Sequence, residues 1–378
     1  MKKKICFVVA VPGSARSFLR DHISTLSQDY EVYLLGNFPT LEVINMLPLT
    51  GYKSVPIQRK ISIVSDLRAL WQVYKYFRSM KFDVVHSVTP KAGLICALAA
   101  WLAHIPNRVH IYTGQVWATR SGIMRRLLKI MDCIPAWLNT RLLVDGHSQR
   151  DFLISEGVLK DSNSCVLANG SICGVHLDRF VISKDVRTIE RKKFGFSEDD
   201  VVYIFLGRLN HDKGIGELYE AFDKLVVEYP NAKLLFYGND EGDYEKKVET
   251  FEHIKKNVNF FFPGRTSSPY EALQGGDVFV LPTWREGFGS SVIEAQALSL
   301  PVITSDAYGV VDASVPGETG LRCKVGDAHG LYECMKQYYE NPNMRLLHGA
   351  NGRKRVEQLF DYKIVSQAWA DFYSEMLS

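Results

Sequence analysis

The sequence predicts an α/β protein made of two Rossmann-like domains, and three observations lead there. Its 378 residues exceed the roughly 250–300 at which single cores stop growing. Short Val/Ile-rich runs, apolar at nearly every position, recur along the chain as strands buried on both faces do. Helix-length stretches with apolar residues three and four apart lie between them.

In order, the first half offers strands at Ile5–Val11, Glu31–Leu35, Val84–Val88, Arg108–Thr113, Arg141–Val144 and Cys165–Ala168. The second offers Val201–Leu206, Lys233–Tyr237, Val258–Phe262, Val278–Leu281, Val302–Thr304 and Leu321–Lys324. Strand-helix alternation of this kind builds parallel sheets. The opening run ends at Pro12-Gly13, too short for a secretory signal, so it is an expected first strand. The helix at Asp66–Met80 carries Leu67, Leu70, Trp71, Tyr74 and Phe77 as a packed stripe. Ala92–Ala103, the most apolar stretch, falls short of the ~20 residues that span a bilayer and is expected as a buried crossover helix. Turn residues and charges near Asp178–Lys184 set the division at 1–181 and 182–355. A last helix is expected from Val356 to Leu377, its apolar face carrying Leu359, Ile364, Ala368, Trp369, Phe372 and Met376.

Hydrophobic residues make up 46% and charged ones 23%, with a net charge of +3, which gives no case for a nucleic-acid partner. Seven cysteines, an odd count without a Cys-x-x-Cys pair, fit reduced thiols in the cytoplasm; Cys165 and Cys173 are closest in sequence.

The chemistry gathers in the second half. Glu286 and Glu294 stand in a Gly-rich loop (Gly287, Phe288, Gly289) and on the helix after it, spaced so that two carboxylates grip one ligand. Arg208 and Lys213 follow the strand Val201–Leu206, a position and pair of cations suited to a diphosphate. In the first half, Pro12-Gly13-Ser14-Ala15 forms a turn that opens a helix after the first strand.

Four stretches together carry a resemblance: Gly207–Gly214, Phe262-Pro-Gly264, Glu286–Glu294, and Leu300–Asp306 leading to Pro316–Leu321. They resemble the retaining, nucleotide-sugar-dependent glycosyltransferases of family 4, group 1, with the GT-B architecture of two Rossmann-like domains facing across a cleft. Asp83–His86 and Val166–Gly170 extend it more loosely into the first half. The resemblance implies that 1–181 binds the acceptor, 182–355 the nucleotide sugar, and that 356–378 crosses back to the N-terminal domain. It implies Glu294 on the ribose hydroxyls, Glu286 on the donor sugar, and Arg208 and Lys213 on the departing diphosphate. Gly287, Phe288 and Gly289 present main-chain groups, and Gly264 and Arg265 match the nucleobase loop. Gly13 and Ser14 occupy the phosphate-facing turn, where the family has a richer glycine pair. Where many relatives carry a histidine at the reacting centre, this chain offers His110, Thr113 and Gln115; strand alternation favours Thr113 with Gln115 at its tip. His86 is either the family's frequent histidine or a core group.

Thr89–Gly93 and Thr113–Trp117 resemble the transferases of bacterial O-antigen and capsule synthesis, whose acceptors are glycans on undecaprenyl diphosphate. The expected reaction is retaining transfer from a nucleotide sugar, UDP-linked, without a metal and with no cofactor beyond that co-substrate. The acidic stretch holding Asp240, Glu241, Asp243 and Glu245 reads as a solvated turn. Arg120, Arg125, Arg126 and Lys129, set among Ile123, Met124, Leu127, Leu128 and Ile130, read as a basic amphipathic helix lying on an anionic membrane. That places the protein peripherally at the inner face of the cytoplasmic membrane. A sugar-nucleotide epimerase of the same fold and a non-catalytic glycan-binding protein are the alternatives.

Overall fold

The computed structural model describes residues 2–58, 62–241 and 258–378. Among these the strands form two wholly parallel sheets. The first comprises β1 (Lys4–Val8), β2 (Glu31–Gly36), β3 (Gly51–Ser54), β4 (Val84–Val88), β5 (Asn107–Tyr112), β6 (Arg141–Val144) and β7 (Ser164–Cys165), in the order β3-β2-β1-β4-β5-β6-β7. The second comprises β8 (Val201–Leu206), β9 (Ala232–Tyr237), β10 (Phe260–Gly264), β11 (Val278–Leu281), β12 (Val302–Ser305) and β13 (Gly320–Cys323), ordered β10-β9-β8-β11-β12-β13. The central strands β1, β4, β8 and β11 are almost wholly buried, which is why β8 and β11 appear in the sequence as unbroken apolar runs, β1 as one after Lys4, and β4 as valines around the buried His86 and Ser87. Strand β3 was not anticipated. It is an edge strand, Gly-Tyr-Lys-Ser, with its last three residues exposed, and so has no apolar signature.

The helices that matter below are α1 (Arg20–Leu26), α2 (Ile63–Met80), α3 (Pro90–Leu102), α4 (Gly122–Leu138), α5 (Ile215–Glu228), α6 (Ser290–Ala297), α7 (Ala328–Glu340), α8 (Pro342–Leu359) and α9 (Tyr362–Leu377). The chain divides into one unit of Met1–Cys173 with Tyr362–Ser378 and a second of Gly174–Asp361. The expected boundaries at 181 and 356 therefore shift. Val175 and Phe180 pack in the second core, the Val175 N–H donates to the Phe360 carbonyl at 2.8 Å, and Val356 and Phe360 belong to that same core. The single last helix expected from Val356 is two helices, α8 and α9, broken at Phe360-Asp361. Trp369 is buried as expected, but Ile364, expected on the packed face, is 37% exposed, and Val365 and Tyr373 are buried beside Trp369.

Helix α9 lies on the same face of the first sheet as α1, in a core with Phe7, Ile23 and Leu34. Trp369 stacks on two imidazoles, His22 at 4.0 Å and His86 at 4.9 Å between ring centroids, both nearly parallel to it. His22 Nε2–H donates to the Ile172 carbonyl at 2.6 Å, and Ser366 meets its other nitrogen at 3.2 Å. His86 Nδ1 bonds the Tyr373 hydroxyl at 2.6 Å. Burial holds His22 down to about 4 and His86 well below the ordinary histidine value. Both are neutral in the fold and bind protons more readily once exposed. Stability from this cluster is complete above about pH 6.5 and is lost as the pH falls from there toward the folded value. Amide exchange in 362–377, corrected for intrinsic rates, should therefore rise relative to β1 between pH 7 and pH 5. Equal protection at both pH values would contradict the neutral clamp. A local readout is needed because Asp132, raised by desolvation to about 6 in the same unit, works in the opposite sense on global stability.

The stripe expected on α2 is only partly packed. Ala69, Val73 and Phe77 are buried, whereas Leu67 is 60% and Trp71 57% exposed. None of the seven cysteines forms a disulfide among the described residues.

Candidate active site

Strands β8 and β11 are neighbours in the middle of the second sheet, and each opens at its carboxyl end into a loop, the edge where parallel sheets bind ligands. The loop after β8 closes in one turn of 3₁₀ helix, His211–Lys213, followed by Gly214 at φ +69°. A Cβ on Gly214 would lie 1.9 Å from the Pro282 carbonyl oxygen, so only glycine lets the two loops touch here. That contact sets Asp212-Lys213 against Arg285-Glu286. Arg285 directs Nε and Nη2 to one carboxylate oxygen of Asp212 at 3.0 and 2.6 Å. Thr283 Oγ1 and the Trp284 N–H donate to the Asp212 carbonyl, each at 2.8 Å. Lys213 Nζ donates to Glu286 Oε1. Behind Glu286, Gly309 at φ +83° packs so closely that a Cβ would meet the Glu286 carbonyl at 2.4 Å.

The Lys213 and Glu286 side chains are 14% and 15% exposed, so their pairing is sheltered from water and from salt. An ammonium has three donors and a carboxylate two oxygens; the pair leaves donors and acceptor sites unspent. Arg208 is half-exposed and holds Glu241 at 3.0 Å. Asp243 and Glu245, from the expected acidic turn, lie outside the described residues. Glu294 sits on α6 directly beyond Gly289, half-buried, and carries no hydrogen bond or ion pair among the described residues. Desolvation pushes its carboxyl up to about 7. Such a carboxyl keeps its hydrogen-bonding capacity unspent.

Of the other expected residues, Phe288 is 1% exposed with its ring 5.2 Å from Phe360, so its side chain belongs to the core. Gly264 ends β10 at φ +80°, its carbonyl accepting the Gly238 N–H at 3.0 Å, and Arg265 beyond it is exposed. In the first unit, Gly13 is exposed in the helical turn after β1, and buried Ser14 donates its N–H to Val11 at 3.1 Å. Thr113 is half-buried just past β5. Gln115 is fully buried and accepts from Gln149 at 3.2 Å, while its own Nε2 has no partner among the described residues. His86 and His110 are core groups, the latter 2.9 Å from Ser87 Oγ.

Asp212 and Arg285 were missed in the sequence. Their signal was available: Asp-Lys at 212–213 and Arg-Glu at 285–286 are charge pairs of opposite order, each just past a predicted strand.

Residues 186–355 match the family described as glycosyl transferases group 1, and residues 35–156 the glycosyl transferase 4-like domain. The chain is 33% identical over 323 residues to the capsular polysaccharide biosynthesis glycosyltransferase CapM of Staphylococcus aureus, covering 85% of this chain and 84% of that protein. It is 28% identical over 341 residues to the Escherichia coli UDP-Gal:alpha-D-GlcNAc-diphosphoundecaprenol alpha-1,3-galactosyltransferase, covering 84% and 86%. The structure of Anabaena HepE in complex with UDP and glucose superposes with a TM-score of 0.81 at 17% identity, over 99% of this chain and 100% of that one. With two parallel-sheet Rossmann-like units of the GT-B fold, the chain belongs to the group 1 glycosyltransferases and is a glycosyltransferase.

Proposed function

We propose that this glycosyltransferase moves a hexosyl or N-acetylhexosaminyl group from a UDP-sugar, with retention, to a glycan on undecaprenyl diphosphate during O-antigen or capsule synthesis. The observation that carries the proposal is the sheltered Lys213–Glu286 pair beside an unpartnered Glu294. One charge of each sign serves a diphosphate and a sugar hydroxyl together, and a lone carboxyl serves a ribose diol. The names of the relatives from capsule and undecaprenol-linked synthesis support the acceptor class.

In the proposed reaction the bond from the sugar C1 to the diphosphate oxygen breaks while the acceptor oxygen attacks C1 on the same face. The acceptor proton passes to the leaving phosphate oxygen. Lys213 and Arg208 stabilise the charge gathering on that phosphate, and the Glu286 carboxylate holds the sugar. Glu294 binds the ribose, Gly287 to Gly289 offer backbone groups, and Gly264 and Arg265 meet the base. From the first unit, Gly13, Ser14, Thr113 and Gln115 are the proposed contacts, with exposed Gly13 and half-buried Thr113 the most accessible of them. The protein works peripherally at the inner face of the cytoplasmic membrane; no described helix is long and apolar enough to cross one.

Metal independence is part of the proposal, argued from the two cations Arg208 and Lys213, which can meet the charge of the diphosphate. Turnover should survive excess EDTA; complete loss, restored by magnesium or manganese, would contradict it. A panel of UDP-, GDP- and dTDP-sugars, read by thermal shift and slow hydrolysis, tests the donor class. Stabilisation by UDP-sugars alone is expected, and conversion of the donor sugar without transfer would favour an epimerase.

A further inference from the structure

We infer that the first unit docks on an anionic bilayer by inserting apolar side chains of α2 and α4, a mode of contact different from the basic-helix attraction expected from the sequence. The inference rests on the proposed lipid-linked acceptor for its purpose and on the following geometry for its substance.

Helix α4 is inverted. Arg125 and Lys129 turn inward, each 2.7 Å from a different oxygen of Glu156 and over the ring of Trp117. Asp132 is buried and accepts from Trp117 Nε1 at 2.7 Å. The outward face is Ile123, Met124, Leu127, Ile130 and Trp137, from 53% to 80% exposed. On α2, Ile63, Val64, Leu67 and Trp71 are likewise 57% to 74% exposed, and a shallow apolar groove of about 430 Å³ runs between Leu67, Leu70, Trp71, Tyr74 and Leu102. Contiguous apolar surface of this kind marks an interaction site.

The occupant is read from charge and aromatic content. In α2, α3 and α4 and the turn before α4, the exposed charged residues are Arg68, Lys75, Arg78, Arg120 and Arg126, all cations. The acidic residues of these helices, Asp66 and Asp132, are half-buried beside Lys91 and buried, respectively. Trp71, Trp101 and Trp137 all stand exposed here, half of the chain's six tryptophans, and tryptophan prefers the membrane-water boundary. Cations beside inserted aliphatic and indole groups suit an anionic leaflet. The crossovers β3–α2–β4, β4–α3–β5 and β5–α4–β6 all pass in the same direction along the sheet and so, being right-handed, cover one face. The exposed starts of α2 and α4 therefore lie at the carboxyl edge of the strands, the edge at which Gly13 follows β1 and Thr113 follows β5.

The test is co-sedimentation of the full chain with vesicles of phosphatidylcholine and phosphatidylglycerol, with emission of the exposed tryptophans followed in parallel. Wild type should bind, shift its emission to the blue, and keep most of its binding in 0.5 M salt, since apolar insertion is not screened. The surface variant Ile123→Gln/Leu127→Gln/Ile130→Gln should lose at least about 100-fold in partitioning, each buried aliphatic group being worth roughly tenfold. Arg125→Gln/Lys129→Gln should bind vesicles almost normally and melt lower, because it strips Glu156 of its partners. Unchanged binding in the triple variant, loss of wild-type binding on adding salt, or a stable dimer that already shields these tryptophans would overturn the inference. Transfer to a short soluble acceptor without vesicles keeps the two proposals separate: the triple variant should match wild type there, and failure of that assay in wild type speaks against the enzymatic proposal alone.

Discussion

Lys213→Met should reduce the rate of sugar transfer by about 10² or more, the size expected when one donor to a developing oxyanion is removed. A hundredfold is about 2.7 kcal/mol of transition-state stabilisation. The same substitution strands Glu286, whose side chain is only 15% exposed, and a sheltered charge that loses its partner destabilises the fold. Lower activity alone therefore does not distinguish chemistry from folding. The pair Lys213→Met/Glu286→Gln does: its melting temperature should return toward wild type, because a neutral amide beside a methionine needs no counter-ion, while its rate stays low. Arg208→Ala, on a half-exposed cation whose partner among the described residues is Glu241, should lower the rate similarly and leave the melting temperature almost unchanged. Near-wild-type turnover in Lys213→Met and in Arg208→Ala would remove the cationic cradle from the mechanism.

Glu294→Gln should weaken nucleotide binding by about 10- to 100-fold, the range for hydrogen bonds to a charged group, with a smaller effect on kcat. A ribose contact is present in ground and transition states alike, so its loss appears as binding. Glu286→Gln should act on kcat, since the sugar it holds is the group that changes. The raised pKa of Glu294 adds a second signature. The carboxylate accepts from two hydroxyls, whereas its protonated form spends one oxygen as a donor. Affinity for a UDP-sugar should therefore rise between pH 6 and pH 8, and the rise should vanish in Glu294→Gln. A UDP-sugar Kd that is flat across that range in wild type, or equal in wild type and variant, would take the ribose away from Glu294.

Much of this was legible because buried parallel strands leave a plain trace. β4, β6, β8 and β11 could be bounded to the residue, since every side chain in them but those of Arg141 and Leu206 is buried and all but those of Arg141, His86 and Ser87 are apolar. The edge strand β3 left none, because exposed edges are polar. The carboxylates and cations of the site were visible as residues but not as partners. That Lys213 spends part of its charge on Glu286, and Asp212 on Arg285, depends on Gly214 bringing two loops within touching distance, a packing fact that no local pattern contains. The error on α4 has the same root. Periodicity shows that basic and apolar residues occupy opposite faces of a helix; it does not say which face meets the protein. Glu156, 27 residues beyond Lys129, drew Arg125 and Lys129 inward, while Arg120 and Arg126 stay exposed.

The proposed activity is tested most directly by incubating the protein with a radiolabelled UDP-sugar and a short-chain polyprenyl diphosphate-linked glycan, then determining the mass and anomeric configuration of the product. One added sugar is expected on the lipid-linked glycan, joined with the anomeric configuration it had in the donor, with UDP released in equal amount. An inverted linkage, or UDP-sugar consumed with no label reaching the lipid, would contradict the account.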